Sequence, residues 1–171
     1  MFRFVALMSS RASTSKTVLV ESGTKDKGEE YWRTALTPIQ FKVLRMKATE
    51  PRGITTNKGG FDDHFEKGVY LCAGCSTPLY ESMMKFDCGC GWPGFWTNIK
   101  DAVAERTDAD GSRTEITCSA CRGHLGHVFR NEGFSNPTPN ERHCVNSVSL
   151  CFKPEGLEKL VYCTYNGKVY E

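Results

Sequence analysis

The sequence predicts a mainly β fold, with an antiparallel core and a few short helices at its edge, and three features carry that expectation. Short stretches of alternating polar and apolar residues occur at Gly68–Cys72, 113–118 and 143–152, separated by Gly, Asn and Pro. The pairs Asp110-Gly111 and Asn166-Gly167 are hairpin signals, because both residues tolerate the positive φ that a tight antiparallel turn requires. Thr37-Pro38 is a helix start, since a threonine oxygen caps free amides and proline fits the first turn. A helix is expected over 39–47, closed by Pro51 and Gly53.

Taken in order, residues 1–30 read as a flexible tail and 31–171 as the folded domain. Residues 22–30 are largely Gly, Lys, Asp, Glu and Thr, which bury little. Before them, Arg3, Arg11 and Lys16 stand among Ser9, Ser10, Ser13 and Ser15, with no acidic residue ahead of Glu21. That composition is that of a mitochondrial transit peptide, so a mitochondrial location is expected, otherwise a cytoplasmic one. The apolar stretch 4–8 is short for a secretory signal. Within the domain, the first hairpin joins Val103–Thr107 to 113–118, and the second lies near the C-terminus.

Composition narrows the function. A chain of 171 residues buries one core but is too short for two ordinary domains. It contains no apolar run of the ~18 residues a membrane helix needs. The formal charge is only +2 and Lys and Arg are scattered, which argues against a phosphate-binding surface and so against nucleic acid. Nine cysteines, an odd number with several in tight pairs, favour metal or redox chemistry in a reducing compartment over a secreted disulfide framework.

Cys72-Ala-Gly-Cys75 and Cys118-Ser-Ala-Cys121 are two C-x-x-C knuckles. Four thiolates form the soft tetrahedral set that zinc prefers, and their separation would make one zinc a staple between distant segments. Closed coordination leaves no position for water, so the expected role is structural.

The segment Arg142-His143-Cys144-Val145-Asn146-Ser147 opens an alternating strand in which Arg142, Cys144 and Asn146 share a face. A neighbouring guanidinium favours the thiolate, which is the nucleophilic form. A buried structural cysteine is the other reading of Cys144 alone. Two further segments bear on it. Residues 85–96 form a glycine-punctuated loop carrying Cys88, Cys90, Trp92 and Trp96, whose glycines would let a thiol move to a distant partner. Gly123-His124-Leu125-Gly126-His127-Val128-Phe129 holds two of the four histidines. A regular strand would send these to opposite faces, so Gly126 is expected to mark a bulge or turn that lets both approach one pocket.

Together these segments, with Leu36-Thr37-Pro38, resemble the type-B methionine sulfoxide reductases, over a match from about Thr37 to Pro154. The resemblance implies two antiparallel sheets in an open, barrel-like core, with short helices outside and zinc at one edge. It implies Cys144 as the catalytic cysteine and Cys90 as the one that resolves the intermediate. Trp92, His124, His127, Arg142 and Asn146 fall on the family's substrate-site residues. Two positions depart from the family pattern: Cys88 stands where serine is usual before Gly89, and Gly94 where serine is usual after Trp-Pro. Cys88 is therefore a rival resolving thiol. The stretch after Pro154 lies outside the resemblance.

The chemistry implied is attack of Cys144 on the sulfoxide sulfur, with His127 donating a proton to the oxygen. Methionine leaves, Cys144 becomes a sulfenic acid, and a second thiol condenses with it to a disulfide. The expected partners are methionine-R-sulfoxide, free or in oxidised proteins, and thioredoxin or a related dithiol protein as reductant, with the chain acting as a monomer. Trp92 offers its indole to the substrate methyl group. The alternatives are a non-enzymatic zinc-binding β module that holds a peptide or small ligand, and a general disulfide oxidoreductase. Cys151 and Cys163 are expected to be structural, with Cys151 facing away from Cys144 on the same strand.

Overall fold

The computed structural model describes residues 27–53, 60–157, 161–163 and 169–170. It opens with a helix that no motif announced, α1 (Glu29–Ala35), whose start lies inside the segment expected to be linker. No side chain caps it; burial of Trp32 against the core holds it. Next comes α2 (Pro38–Leu44), set by a capping box in which Thr37 accepts from the Gln40 amide while Gln40 Oε1 accepts from the Thr37 amide. It ends short of residue 47, where Lys47 takes a left-handed φ of 57°.

Two antiparallel sheets follow, and no closed barrel is formed among the described residues. The first sheet contains β1 (Gly68–Cys72), β2 (Pro78–Glu81), β9 (Leu150–Pro154), β10 (Val161–Cys163) and β11 (Val169–Tyr170), in the order β11-β10-β9-β1-β2. The second contains β3 (Lys85–Phe86), β4 (Gly94–Phe95), β5 (Val103–Thr107), β6 (Thr114–Cys118), β7 (His124–Phe129) and β8 (Arg142–Val145), in the order β3-β4-β8-β7-β6-β5. The expected hairpin across Asp110-Gly111 joins β5 and β6. Strands β10 and β11 pair as the second hairpin signal requires, although Asn166-Gly167 itself lies outside the described residues. An aromatic cluster fills the space between the sheets: Tyr80 stacks on Phe95 at 4.1 Å, and Tyr70 packs edge-on to Phe95 at 5.0 Å. Among the described residues no helix is long and apolar enough to cross a membrane.

The stretch 143–152, read from sequence as one strand, is two. A single 3-10 turn, Ser147–Ser149, separates β8 from β9 and sends them into different sheets. The cause is Glu50, whose buried carboxylate accepts from the Ser147 and Val148 amides at 2.7 and 3.0 Å and pulls the chain out of its ladder. Cys151 therefore does not share a strand with Cys144. It forms a disulfide with Cys163, its paired neighbour on β10.

Candidate active site and metal centre

The four knuckle cysteines converge. Their sulfurs lie within 4.8 Å of one another and all four residues are buried. Each knuckle closes in the same way: the amides of Ser76 and Arg122 donate to the carbonyls of Cys72 and Cys118, both at 2.8 Å. Both closing residues sit at left-handed φ, 58° and 62°. A tetrahedron of zinc–sulfur bonds of about 2.3 Å has edges of roughly 3.8 Å. The Cys72–Cys121 and Cys75–Cys118 sulfur pairs are each 3.6 Å apart, so the set could hold such an ion with little adjustment. Cys72 ends β1 and Cys118 ends β6, so a metal here would join the two sheets. Helix α2 braces the cluster through Arg45, which donates to the Cys121 carbonyl at 2.9 Å and covers the Trp32 ring.

Cys144 lies on β8 between two neighbours that determine its surroundings. On one side β4 pairs Gly94 with Cys144, which ties the 85–96 loop directly to the cysteine strand. On the other side β7 pairs His127 with Cys144. The loop turns at Gly89 and Gly91, with φ of 66° and 81°, and this carries Cys90 to within 3.7 Å of the Cys144 sulfur. Cys88 donates to Cys90 at 3.0 Å. Hydrogen bonds from Cys144 and Cys88 hold the Cys90 thiol well below the usual thiol range. The contact with Cys90, and then burial, push Cys144 up, while Arg142 favours the thiolate on either.

A cleft of about 130 Å³ opens over Cys144, lined by Trp92, His127, Asn146, Thr49 and Arg113 among others. The larger cleft of about 870 Å³ near Phe65, Met83 and Leu157 contains no thiol. Trp92 is held by its indole N–H, which donates to the Glu50 carbonyl at 3.2 Å. Asn146 accepts from the Glu50 amide and donates to the Leu125 carbonyl, both at 2.9 Å, leaving one amide hydrogen for a ligand. His127 meets the Asp108 carboxylate through Nε2 at 3.1 Å, and Arg113 sits 3.3 Å from the same oxygen.

His124 and Arg142 stand outside the lining of this cleft. His124 is buried behind His127, ring to ring at 5.5 Å, and its Nδ1 meets Glu115 at 2.8 Å. Burial lowers its pKa against the pull of Glu115. Glu115 in turn accepts from Lys47 at 2.6 Å. The bulge expected near Gly126 is present: Ile116 pairs with Gly126 and Thr117 with His124, so Leu125 has no partner across the ladder. Arg142 stacks on Phe129 and makes a bidentate pair with Glu132, so it reaches the thiols through its field.

Glu50, Asp108 and Glu115 position this site, yet no motif pointed to them. Asp108 opens a turn whose Asp110-Gly111 drew the reading toward hairpin geometry alone, and Glu50 is an isolated acid before a proline.

A half-buried thiol in a small cleft, with a second thiol in contact and a histidine opposite, defines a thiol-redox domain. The SelR domain family matches residues 36–154, and the chain belongs to that family. Peptide methionine sulfoxide reductase B5 of Arabidopsis thaliana is 56% identical over 128 residues, covering 75% of this chain and 88% of the relative. Peptide methionine sulfoxide reductase B7 of the same plant is 51% identical over 145 residues, covering 85% and 97%. Peptide methionine sulfoxide reductase B5 of Oryza sativa subsp. japonica is 53% identical over 134 residues, covering 78% and 95%.

Proposed function

We propose that the chain reduces methionine-R-sulfoxide to methionine, with Cys144 as nucleophile, His127 as proton donor and Cys90 as resolving thiol. The observation that carries this is the contact of the Cys90 sulfur, at 3.7 Å, with that of Cys144, which lines a cleft of about 130 Å³. The Trp92 indole supplies an apolar face for the methyl group, and the remaining Asn146 amide hydrogen supplies a polar one.

Transfer of the Cys144 proton to the Cys90 thiolate, 3.7 Å away, makes Cys144 the attacking thiolate. Its sulfur attacks the sulfoxide sulfur while protonated His127, oriented by Asp108, protonates the departing oxygen. The hydroxyl then passes from the substrate sulfur to the Cys144 sulfur as the bond between the two sulfurs breaks, so that methionine leaves and Cys144 is a sulfenic acid. Cys90 then attacks that sulfur, water leaves, and a disulfide joins the two cysteines. A dithiol protein of the thioredoxin class returns both to thiols. His124, fixed by Glu115, acts as packing behind His127. The ion assigned to the four-sulfur cluster is zinc, in a structural role; closed sulfur coordination keeps it out of the chemistry. The working unit is a monomer, and the N-terminal tail directs it to mitochondria, which a reporter fused to residues 1–30 tests by its location.

Incubation with each epimer of methionine sulfoxide and a dithiol reductant tests the activity. Methionine should appear from the R epimer only and vanish in Cys144→Ser. Turnover of the S epimer alone, or activity retained in Cys144→Ser, would overturn it.

A further inference from the structure

We propose that Cys88, Cys90 and Cys144 form a three-thiol relay, in which the oxidising equivalent produced at Cys144 passes through Cys90 and leaves the protein as a Cys88–Cys90 disulfide. The relay rests on the sulfoxide chemistry proposed above and adds a step after it.

Three observations carry it. Cys90 touches both other sulfurs, Cys88 at 3.0 Å and Cys144 at 3.7 Å. The thiols also open to different clefts. Cys144 lines the 130 Å³ cleft with His127 and Asn146, whereas Cys88 and Cys90 line a separate cleft of about 280 Å³ with Arg52 and Asp87. Trp92 is the wall common to both. The third observation concerns Gly94. A Cβ at this position would lie 2.7 Å from the Cys88 sulfur, so Gly94 leaves the space that Cys88 fills. The two positions at which the loop departs from the family pattern are therefore one packed unit.

The transfer step balances. Cys88, as thiolate, attacks the Cys90 sulfur of the Cys144–Cys90 disulfide; the Cys88–Cys90 bond forms, the Cys90–Cys144 bond breaks, and the electron pair leaves on Cys144. The proton given up by Cys88 ends on Cys144, and no net oxidation occurs. In the reduced protein the contact with Cys90, and then burial, push the Cys88 thiol up; the first of these changes once Cys90 is in a disulfide, and Arg142 acts toward the thiolate on all three sulfurs. Closing a 3.0 Å contact to a bond of about 2.05 Å asks for ~1 Å of movement, and Gly89 lies between the two cysteines to supply it. The result is a free Cys144 in the substrate cleft and a disulfide in the other, where a dithiol reductant meets it without entering the substrate's space.

Stoichiometry without reductant tests the relay. Fully reduced wild-type protein given excess methionine-R-sulfoxide should form about two methionines per chain, because transfer to Cys88 frees Cys144 for a second attack. Peptide mapping should find a Cys88–Cys90 disulfide. Cys88→Ser should form about one methionine and hold a Cys144–Cys90 disulfide. One methionine from wild type, or two from Cys88→Ser, would overturn the relay and leave the reductase reading standing. No methionine from wild type would overturn the reductase reading and the relay with it.

Discussion

His127 stands directly opposite Cys144 on adjacent antiparallel strands, and its Nε2 is 3.1 Å from Asp108. The ladder fixes where the imidazole begins, and the carboxylate fixes how it turns. With Nε2 committed to Asp108, Nδ1 is the nitrogen left to meet a ligand.

Asp108→Asn should therefore lower kcat by about 10- to 100-fold, with a smaller effect on KM, since general-acid catalysis contributes typically 10²- to 10⁴-fold. Steady-state kinetics checks both values. An unchanged kcat would mean that Asp108 only holds the hairpin.

Glu50 leads to a prediction about stability. Burial raises its carboxyl from 4.5 to about 7, although the Val148 and Ser147 amides act in the opposite direction and Asp62 adds to the rise. A group whose folded pKa exceeds its unfolded one contributes stability that is complete below the unfolded value and is lost as pH climbs through the folded value. The contribution should be full below about pH 4.5 and gone above about pH 7. The shift corresponds to on the order of 3 kcal/mol. Urea titrations of wild type and Glu50→Gln between pH 4.5 and 8 should show this slope in wild type alone.

The parts of the molecule that were legible in the sequence are those whose physics is local. Thr37-Pro38 announces α2 because capping needs only the residues of one turn, and the two C-x-x-C knuckles announce the four-sulfur cluster because tight turns need only their own backbone. Gly126 signalled a bulge for the same reason. Long-range partners were not legible. The break between β8 and β9 is imposed by Glu50, nearly a hundred residues earlier, and nothing within 143–152 records it. Arg142 was read as the direct neighbour of Cys144, yet Glu132 and Phe129 claim its guanidinium.

The four sulfurs bring together the ends of β1 and β6, so a metal held there would join the sheets, and its loss should separate them at that edge. Cys121→Ser, or prolonged chelation, should cost several kcal/mol, roughly 10 °C or more in Tm. Purified active protein should contain close to one zinc per chain. Active, stable protein free of metal would overturn the structural assignment.

Gly126 lets β7 lie close against the backbone of β8. A Cβ there would fall 1.9 Å from the Cys144 carbonyl oxygen and 3.0 Å from its carbonyl carbon, and these are backbone atoms that cannot rotate aside. Gly126→Ala should force β7 away from β8, at a cost of about 3 kcal/mol, the upper part of the range for overpacking a tight interior. The same displacement pulls His127 from its place opposite Cys144, so protonation of the sulfoxide oxygen should suffer more than binding. In protein still folded at low temperature, kcat should fall by at least about tenfold while KM changes little. Cys144 alkylation by a small reagent should persist, because the thiol itself remains on its strand. Wild-type kcat in a destabilised Gly126→Ala protein would show that the His127–Cys144 register has no part in the rate.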